Sequence, residues 1–289
     1  MTAGPCIERL PSPHRHDDRP VRLGVVSFLN TLPLIDGLEG LADVDLRTSV
    51  PSLLIDQLGN DEVDLALCSS IDYQRRDDLA IIPVGMLGCH GPTLTVRLYA
   101  SQPIDQLERV YCDTDSHTSV ALLRVILAER YGVTPEIIAY HAREHVAENR
   151  PIDWPPAMLL IGDKVVTDSP PAVRYPHQLD LGAAWAEWTG LPFVFAVWMA
   201  RRGTDRHRLA TAAAVLDRQR RHNRQRLDGM IARQAGPRRW PRDMAGEYLR
   251  NTLHYNFTDT HRRSLELFFD HAAAAAGVID RARPIELLI

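Results

Sequence analysis

From residue 21 to about residue 200, short apolar runs alternate with apolar positions at helical spacing. Leu23–Val26 reads as a strand and Leu32–Leu41 as a helix, with Pro33 near its first turn. Val44–Thr48 is a second strand. Pro51–Gly59 places Leu53, Leu54 and Leu58 at helical intervals, and Pro51 suits an N-terminal turn. Val63–Leu67 and Leu79–Val84 read as the third and fourth strands. This β-α-β-α-β order predicts a parallel α/β unit with right-handed crossovers. A second unit follows. Thr93–Ser101 alternates with period two, and Val110–Cys112 leads into a strong helix, Val120–Tyr131, stopped by Gly132. Ile137–Ala139 and Met158–Ile161 read as buried strands, Asp180–Thr189 as an amphipathic helix, and Phe193–Ala200 as a long apolar strand. Beyond Thr204 the pattern is helical: Asp205–Ala235 as one helix or two, then Ala245–Leu253 and Thr260–Ala276. Leu265, Phe268 and Phe269 form an apolar stripe on the last, which reads as core.

Two α/β units joined by a strand out and a strand back predict a two-lobed, clamshell-like arrangement. Thr93–Ser101 would lead out and Phe193–Ala200 would return. The expected division is a loosely attached arm at 1–20, one lobe from 21–101 with 200–289, and a second lobe from 102–199. The C-terminal helices would pack on the first lobe and a ligand cleft would lie between the two.

Composition narrows the classes. A hydrophobic share of 45% and a charged share of 24% over 289 residues fit a soluble globular chain. A net charge of −4 leaves no electrostatic footprint for nucleic acid. No apolar run approaches the roughly 18 residues of a membrane span, and residues 1–20 lack the apolar centre of a secretory signal. Cys6, Cys68, Cys89 and Cys112 are scattered without a C-x-x-C pair, so free thiols in a reducing cytoplasm are expected rather than a metal site or disulfides. Lys164 is the only lysine among the basic residues; the arginine excess reads as compositional bias rather than phosphate binding.

Candidate chemistry lies at the strand ends. Three junctions carry small polar residues: Ser27 with Asn30, Ser69 with Ser70, and Ser116 with Thr118 and Ser119. Ligands of open α/β sheets bind outside the carboxyl ends of strands. A helix N-terminus adds unpaired N–H groups and a positive dipole end, so such junctions can hold a carboxylate without a full positive charge. Each also reads as a simple helix cap, with Asn30 or Thr31 capping the first helix. Gly91, in a glycine-bracketed turn, permits close backbone approach. His90 and His117 lie in turns near the expected cleft, and Asp163 follows an apolar strand. There is no G-x-S-x-G elbow, no P-loop and no G-x-G-x-x-G.

The string SFLNTLPL at 27–34 resembles the N-terminal signature of the chorismate dehydratases of the futalosine route to menaquinone. EVDLALCSSIDYQRR, DSHTSVALLRVILAERYGV, LLIGDKV, DLGAAWAEWTGLPFVFAVWMAR and YLRNTLHYNFTDTHRRSLELFFDHAAAAAGVI resemble later segments of that family, in order, over most of residues 22–280. The resemblance implies a type II periplasmic-binding-protein fold used by a cytosolic enzyme. That enzyme removes water from chorismate to give 3-[(1-carboxyvinyl)oxy]benzoate, with no metal and no organic cofactor. Together with the polar strand ends, this resemblance places Asn30 in the catalytic position and Ser27, Ser69, Ser70, Gly91, Thr95, Ser116, Thr118, Ser119 and Asp163 in substrate binding. Loss of the C3 proton and the C4 hydroxyl aromatises the ring, so such a site must orient the substrate, stabilise negative charge and assist departure of hydroxide. No side chain stands out as proton acceptor; a carboxylate of the substrate is a candidate. Two alternatives stay open. One is a 1,4-dihydroxy-6-naphthoate synthase-type lyase, whose first motif looks like SPCPNDT. The other is a non-catalytic protein that binds small carboxylates. Neither nucleic acid nor a membrane is an expected partner, and monomer and homodimer are both open.

Overall fold

The computed structural model describes residues 19–142, 153–275 and 277–288. The arm expected at 1–20 falls almost entirely outside the described residues, as does Cys6. Among the described residues, eleven strands form two sheets. The first contains β1 (Val21–Val25), β2 (Val44–Thr48), β3 (Leu65–Ser69), β4 (Leu79–Cys89), β10 (Phe193–Arg201) and β11 (Leu253–His254), in the order β11-β4-β10-β3-β1-β2. The second contains β5 (Val96–Ala100), β6 (Arg109–Asp113), β7 (Glu136–Tyr140), β8 (Ala157–Ile161) and β9 (His177–Asp180), in the order β7-β6-β8-β5-β9.

The expected parallel unit covers β1, β2 and β3. It ends there, because β10 inserts antiparallel between β3 and β4. β3 shows why its sequence is apolar throughout. Ala66 and Cys68 face Leu54 and Leu58 of the helix Pro51–Gly59. Leu65 and Leu67 face the opposite way, toward Leu209 and Leu216 of the helix Arg206–Gln225. A strand covered on both faces needs no polar side.

The sheets set the crossovers elsewhere than at the expected 101/102 and 199/200. β5 already belongs to the second sheet, where it pairs antiparallel with β8 and β9. β10 belongs entirely to the first. Alternation identifies a strand but not its partner, and each connecting strand pairs with the sheet it enters. The outgoing connection is held by Asp180. Its carboxylate accepts from the backbone N–H of Thr93 and Leu94 at 2.8 Å each, and caps the helix Leu181–Thr189 through Gly182 and Ala183 at 3.1 Å. These bonds hold Leu94 at φ 66°, a left-handed conformation unusual for leucine. Gly182 is required here: a β-carbon would stand 2.6 Å from Cys89 Sγ and 2.7 Å from the Gly91 carbonyl.

Two helical expectations change. Leu32–Leu41 is a 3-10 turn (Leu29–Thr31), a four-residue α-helix (Leu32–Ile35) and a second 3-10 turn (Leu38–Gly40) with Gly37 at φ 86° before it. Ala245–Leu253 is the end of an α-helix (Arg242–Glu247), a π-helical turn (Tyr248–Thr252) and then β11. Asp205–Ala235 resolves into two helices, Arg206–Gln225 and Leu227–Gln234. The first of these packs on β4 and on Leu32–Ile35, within the first sheet's layer. The final helix, Asp259–Ala274, lies against β10 and also against His117–Tyr131 of the second unit. Phe268 meets Trp185 and Phe193 edge-on, at ring distances of 6.0 and 5.0 Å. One core therefore runs through both units.

Candidate active site

A cavity opens where the residues after β1 and β3 face those after β6 and β8. Val26, Phe28, Leu87, Ile161 and Phe195 supply apolar walls. Asn30, Ser69, Thr93, Thr95, Ser116 and Ser119 supply neutral polar groups, and Asp115 the one carboxylate among the described lining residues.

Asn30 sits inside the 3-10 turn Leu29–Thr31, which is capped by no side chain. Thr31, the residue before the helix Leu32–Ile35, turns its hydroxyl back to the carbonyls of Val26 (2.7 Å) and Phe28 (2.9 Å). Neither residue therefore acts as a side-chain helix cap. The amide oxygen of Asn30 is buried and has no hydrogen-bond partner. Buried polar atoms are nearly always paired, so an unpaired one in a cavity wall calls for a ligand. Beside Asn30 stands Tyr248, the first residue of the π-helical turn. Its hydroxyl bonds the Thr95 hydroxyl at 2.7 Å, and its ring stacks on Trp240 at 5.0 Å and 16°. Burial pushes the phenol well up, opposed only in part by Thr95 and Asn30, so it stays protonated.

The opposite wall is the N-terminus of the helix His117–Tyr131. Ser116 is the N-cap and accepts from the Ser119 N–H (3.2 Å) and the Ser119 hydroxyl (3.1 Å). A serine hydroxyl has one proton and two lone pairs, so Ser116 retains its own proton for a group in the cavity. Asp115 is tied to Lys164, whose ammonium lies 2.7 Å from Asp115 Oδ2 and 2.5 Å from Asp113 Oδ2. Asp113 also accepts from the backbone N–H of Asp115 (3.2 Å) and Ile161 (3.3 Å). Burial pushes its carboxyl up to about 6, against the attraction of Lys164. The only lysine of the chain is thus a buried counterion at the cavity edge. Its spacing from the two aspartates carries no motif, and only its singularity in the sequence marked it.

The residues expected at the site separate. Asn30, Ser69, Thr95, Ser116 and Ser119 line the cavity. Ser27, Ser70, Gly91, Thr118 and Asp163 are not on its wall. Ser27 is exposed at the bend after β1. The Ser70 hydroxyl donates to the Val194 carbonyl (2.8 Å) and meets Thr118 Oγ1 at 3.3 Å; Thr118 in turn accepts from the Ile71 N–H (3.1 Å). Both hydroxyls tie the two units together inside the core. The Gly91 carbonyl accepts from Cys89 Sγ at 3.3 Å. Asp163 Oδ2 accepts from the Leu29 N–H at 3.4 Å, bracing the Asn30 turn from behind, and burial pushes its carboxyl up. His90 is exposed, and His117 Nδ1 lies 2.8 Å from the buried Asp72. Among the described residues, no group of three His, Cys, Asp or Glu is arranged to hold a metal ion.

The profile of a family described by menaquinone biosynthesis matches residues 21–274. The chain belongs to that family. A chorismate dehydratase of Thermus thermophilus is 34% identical over 199 residues, covering 64% of this chain and 71% of that protein. This member of the menaquinone biosynthesis family also resembles solved structures. A structural-genomics protein of Archaeoglobus fulgidus superposes with a TM-score of 0.63 at 17% identity, over 91% of this chain and 100% of that one. The periplasmic aliphatic sulphonate binding protein of Escherichia coli gives 0.57 at 15%, over 91% and 95%. A Candida albicans protein described as having the generic periplasmic binding protein fold gives 0.58 at 13%, over 90% and 92%. At these identities the likeness is one of fold, and the fold is that of the periplasmic binding proteins.

Proposed function

We propose that this protein dehydrates chorismate to 3-[(1-carboxyvinyl)oxy]benzoate, a carbon–oxygen lyase reaction, in the cytoplasm. Kinship with the Thermus thermophilus chorismate dehydratase supports the substrate. The observation that carries the chemistry is the orphan amide oxygen of Asn30. It needs a donor. Chorismate at neutral pH has two ionised carboxylates and a single O–H, at C4, the group that leaves. Asn30 accepting from that hydroxyl fixes the ring, with the Thr95–Tyr248 pair beside the amide. Ser116 and the N-terminus of His117–Tyr131 then face a carboxylate with neutral donors. Lys164 offsets one of the two carboxylate charges of Asp113 and Asp115, which lessens the repulsion of a dianion by this wall. Ser69 and Ser119 complete the substrate contacts. A carboxylate of the substrate takes the C3 proton as the C4–O bond breaks, and proton and hydroxide leave together as water from a substrate already held in the reactive orientation. Three buried free cysteines, Cys68, Cys89 and Cys112, suit a reducing compartment.

The deciding experiment incubates the purified protein with chorismate and follows the aromatic enol ether by absorbance and mass. Turnover should persist unchanged after exhaustive EDTA treatment; loss restored by a divalent ion would overturn the metal-free reading. The fold shared with the Escherichia coli sulphonate-binding protein favours one second reading, a carboxylate-binding protein. Saturable chorismate binding with no product would select it.

A further inference from the structure

A second cleft lies behind the π-helical turn and shares Leu253 with the first cavity. Its walls come from the helix Arg206–Gln225, the π-helical turn, and the chain from β11 to Thr258. Arg220, Arg224 and Arg250 line it, and no carboxylate does among the described residues. Arg220 is fixed: it donates to the Val84 carbonyl (3.2 Å), to Asp217 (2.6 Å) and to Asn256. Arg250 pairs with Asp228 at the exposed rim. The Arg224 guanidinium has no hydrogen-bond or ion-pair partner among the described residues. On the inner wall, the hydroxyl of Tyr255 is buried and unpartnered. The rings of His254 and His261 pair with each other at 3.3 Å, and His261 Nδ1 meets Thr258 Oγ1 at 2.7 Å. Arg220 is held in place by its partners, Arg224 is exposed and unpaired, and an orphan hydroxyl lies behind the wall, so the lining of this concave space is cationic with no carboxylate among its described residues.

We infer that this cleft is a second ligand site, built for a small anion carrying several negative oxygens, of phosphate or polycarboxylate chemistry. Guanidinium groups bind such oxygens in pairs, through charge-assisted hydrogen bonds. A ligand there would rest on Arg250 and Leu253, the outer face of the segment whose inner face carries Tyr248. The site is independent of which reaction the first cavity performs.

Isothermal titration calorimetry on the full chain tests this, with inorganic pyrophosphate and citrate as probes and sodium chloride matching the ionic strength. Saturable binding of either probe is expected, and their ranking tells phosphate from carboxylate chemistry. Arg224→Ala and, separately, Arg250→Ala should weaken it at least about tenfold, as loss of one charge-assisted pair does. Asn30→Asp, which places a negative charge in the first cavity, should leave it unchanged. Absence of binding by both probes overturns the proposal. So does binding that survives both arginine variants, or that is lost only in Asn30→Asp, which would place the anion in the first cavity.

Discussion

The two facing walls of the first cavity are built on opposite plans. The turn after β1 is neutral and under-satisfied: Asn30 presents a buried oxygen with no partner. The turn after β6 is charged and over-determined: Lys164 sits between Asp113 and Asp115, and the Asp113 carboxylate is fixed again by the backbone N–H of Asp115 and Ile161. The difference teaches where the fold spends its hydrogen bonds. Charges buried in the framework are paired, since one left alone costs several kcal/mol. The group proposed to meet the substrate is left open, because a donor already in place would have to be displaced.

Removing the counterion should break the charged wall most severely. Lys164→Met leaves two carboxylates buried side by side, and loss of about 3–5 kcal/mol of unfolding free energy is expected. Urea denaturation followed by circular dichroism measures it; a loss under about 1 kcal/mol would mean that water already screens the triad. On the neutral wall the expected effect falls on rate instead. Asn30→Asp keeps an acceptor, loses the amide donor beside Tyr248 and adds a charge facing a dianion. Turnover should fall about 10²–10³-fold, with the urea midpoint near wild type. Near-normal turnover would reduce Asn30 to a structural residue.

A smaller change sharpens the contrast at its border. Thr95→Val keeps the shape but strips the partner from the buried Tyr248 hydroxyl, at a cost of about 1–3 kcal/mol. An unchanged melting temperature would show the pair to be dispensable. The subtlest test is pH. Burial pushes the Asp113 carboxyl up to about 6 in the folded protein, above its ordinary value of about 4 in an unfolded chain. Between those values the native state holds a proton that the unfolded chain has lost. Its contribution to stability is therefore complete below about pH 4 and disappears as pH rises through about 6. The stability of wild type relative to Asp113→Asn should decline across that window. A relative stability that climbs instead would show Lys164 keeping Asp113 ionised throughout.

Much of the architecture follows from local pattern. Period-two and helical spacing locate most strands and the helix His117–Tyr131, with Gly132 at φ 68° ending it as expected. The SFLNTLPL string and the serine-rich turn after β6 point to the two walls. Local pattern misses the last turn before β11. There Ala245–Leu253 has helical spacing, but the chain widens into a π-turn that delivers Tyr248 to the cavity. π-Turns of this kind gather at functional sites, and no sequence period announces them.

By itself, then, the sequence determined the alternation of elements, the polar strand ends and the family. Tertiary structure decided which of those polar groups face the ligand. Adjacent residues at a strand end point in different directions, so Ser69 reaches the cavity while Ser70 bonds Val194 and Thr118 in the core. The partners that fix Thr95, Asp115 and Ser70 lie 153, 49 and 48 residues away along the chain. A hydroxyl or carboxylate is free to act only when no such distant partner claims it, and that is settled when the two sheets close on one another.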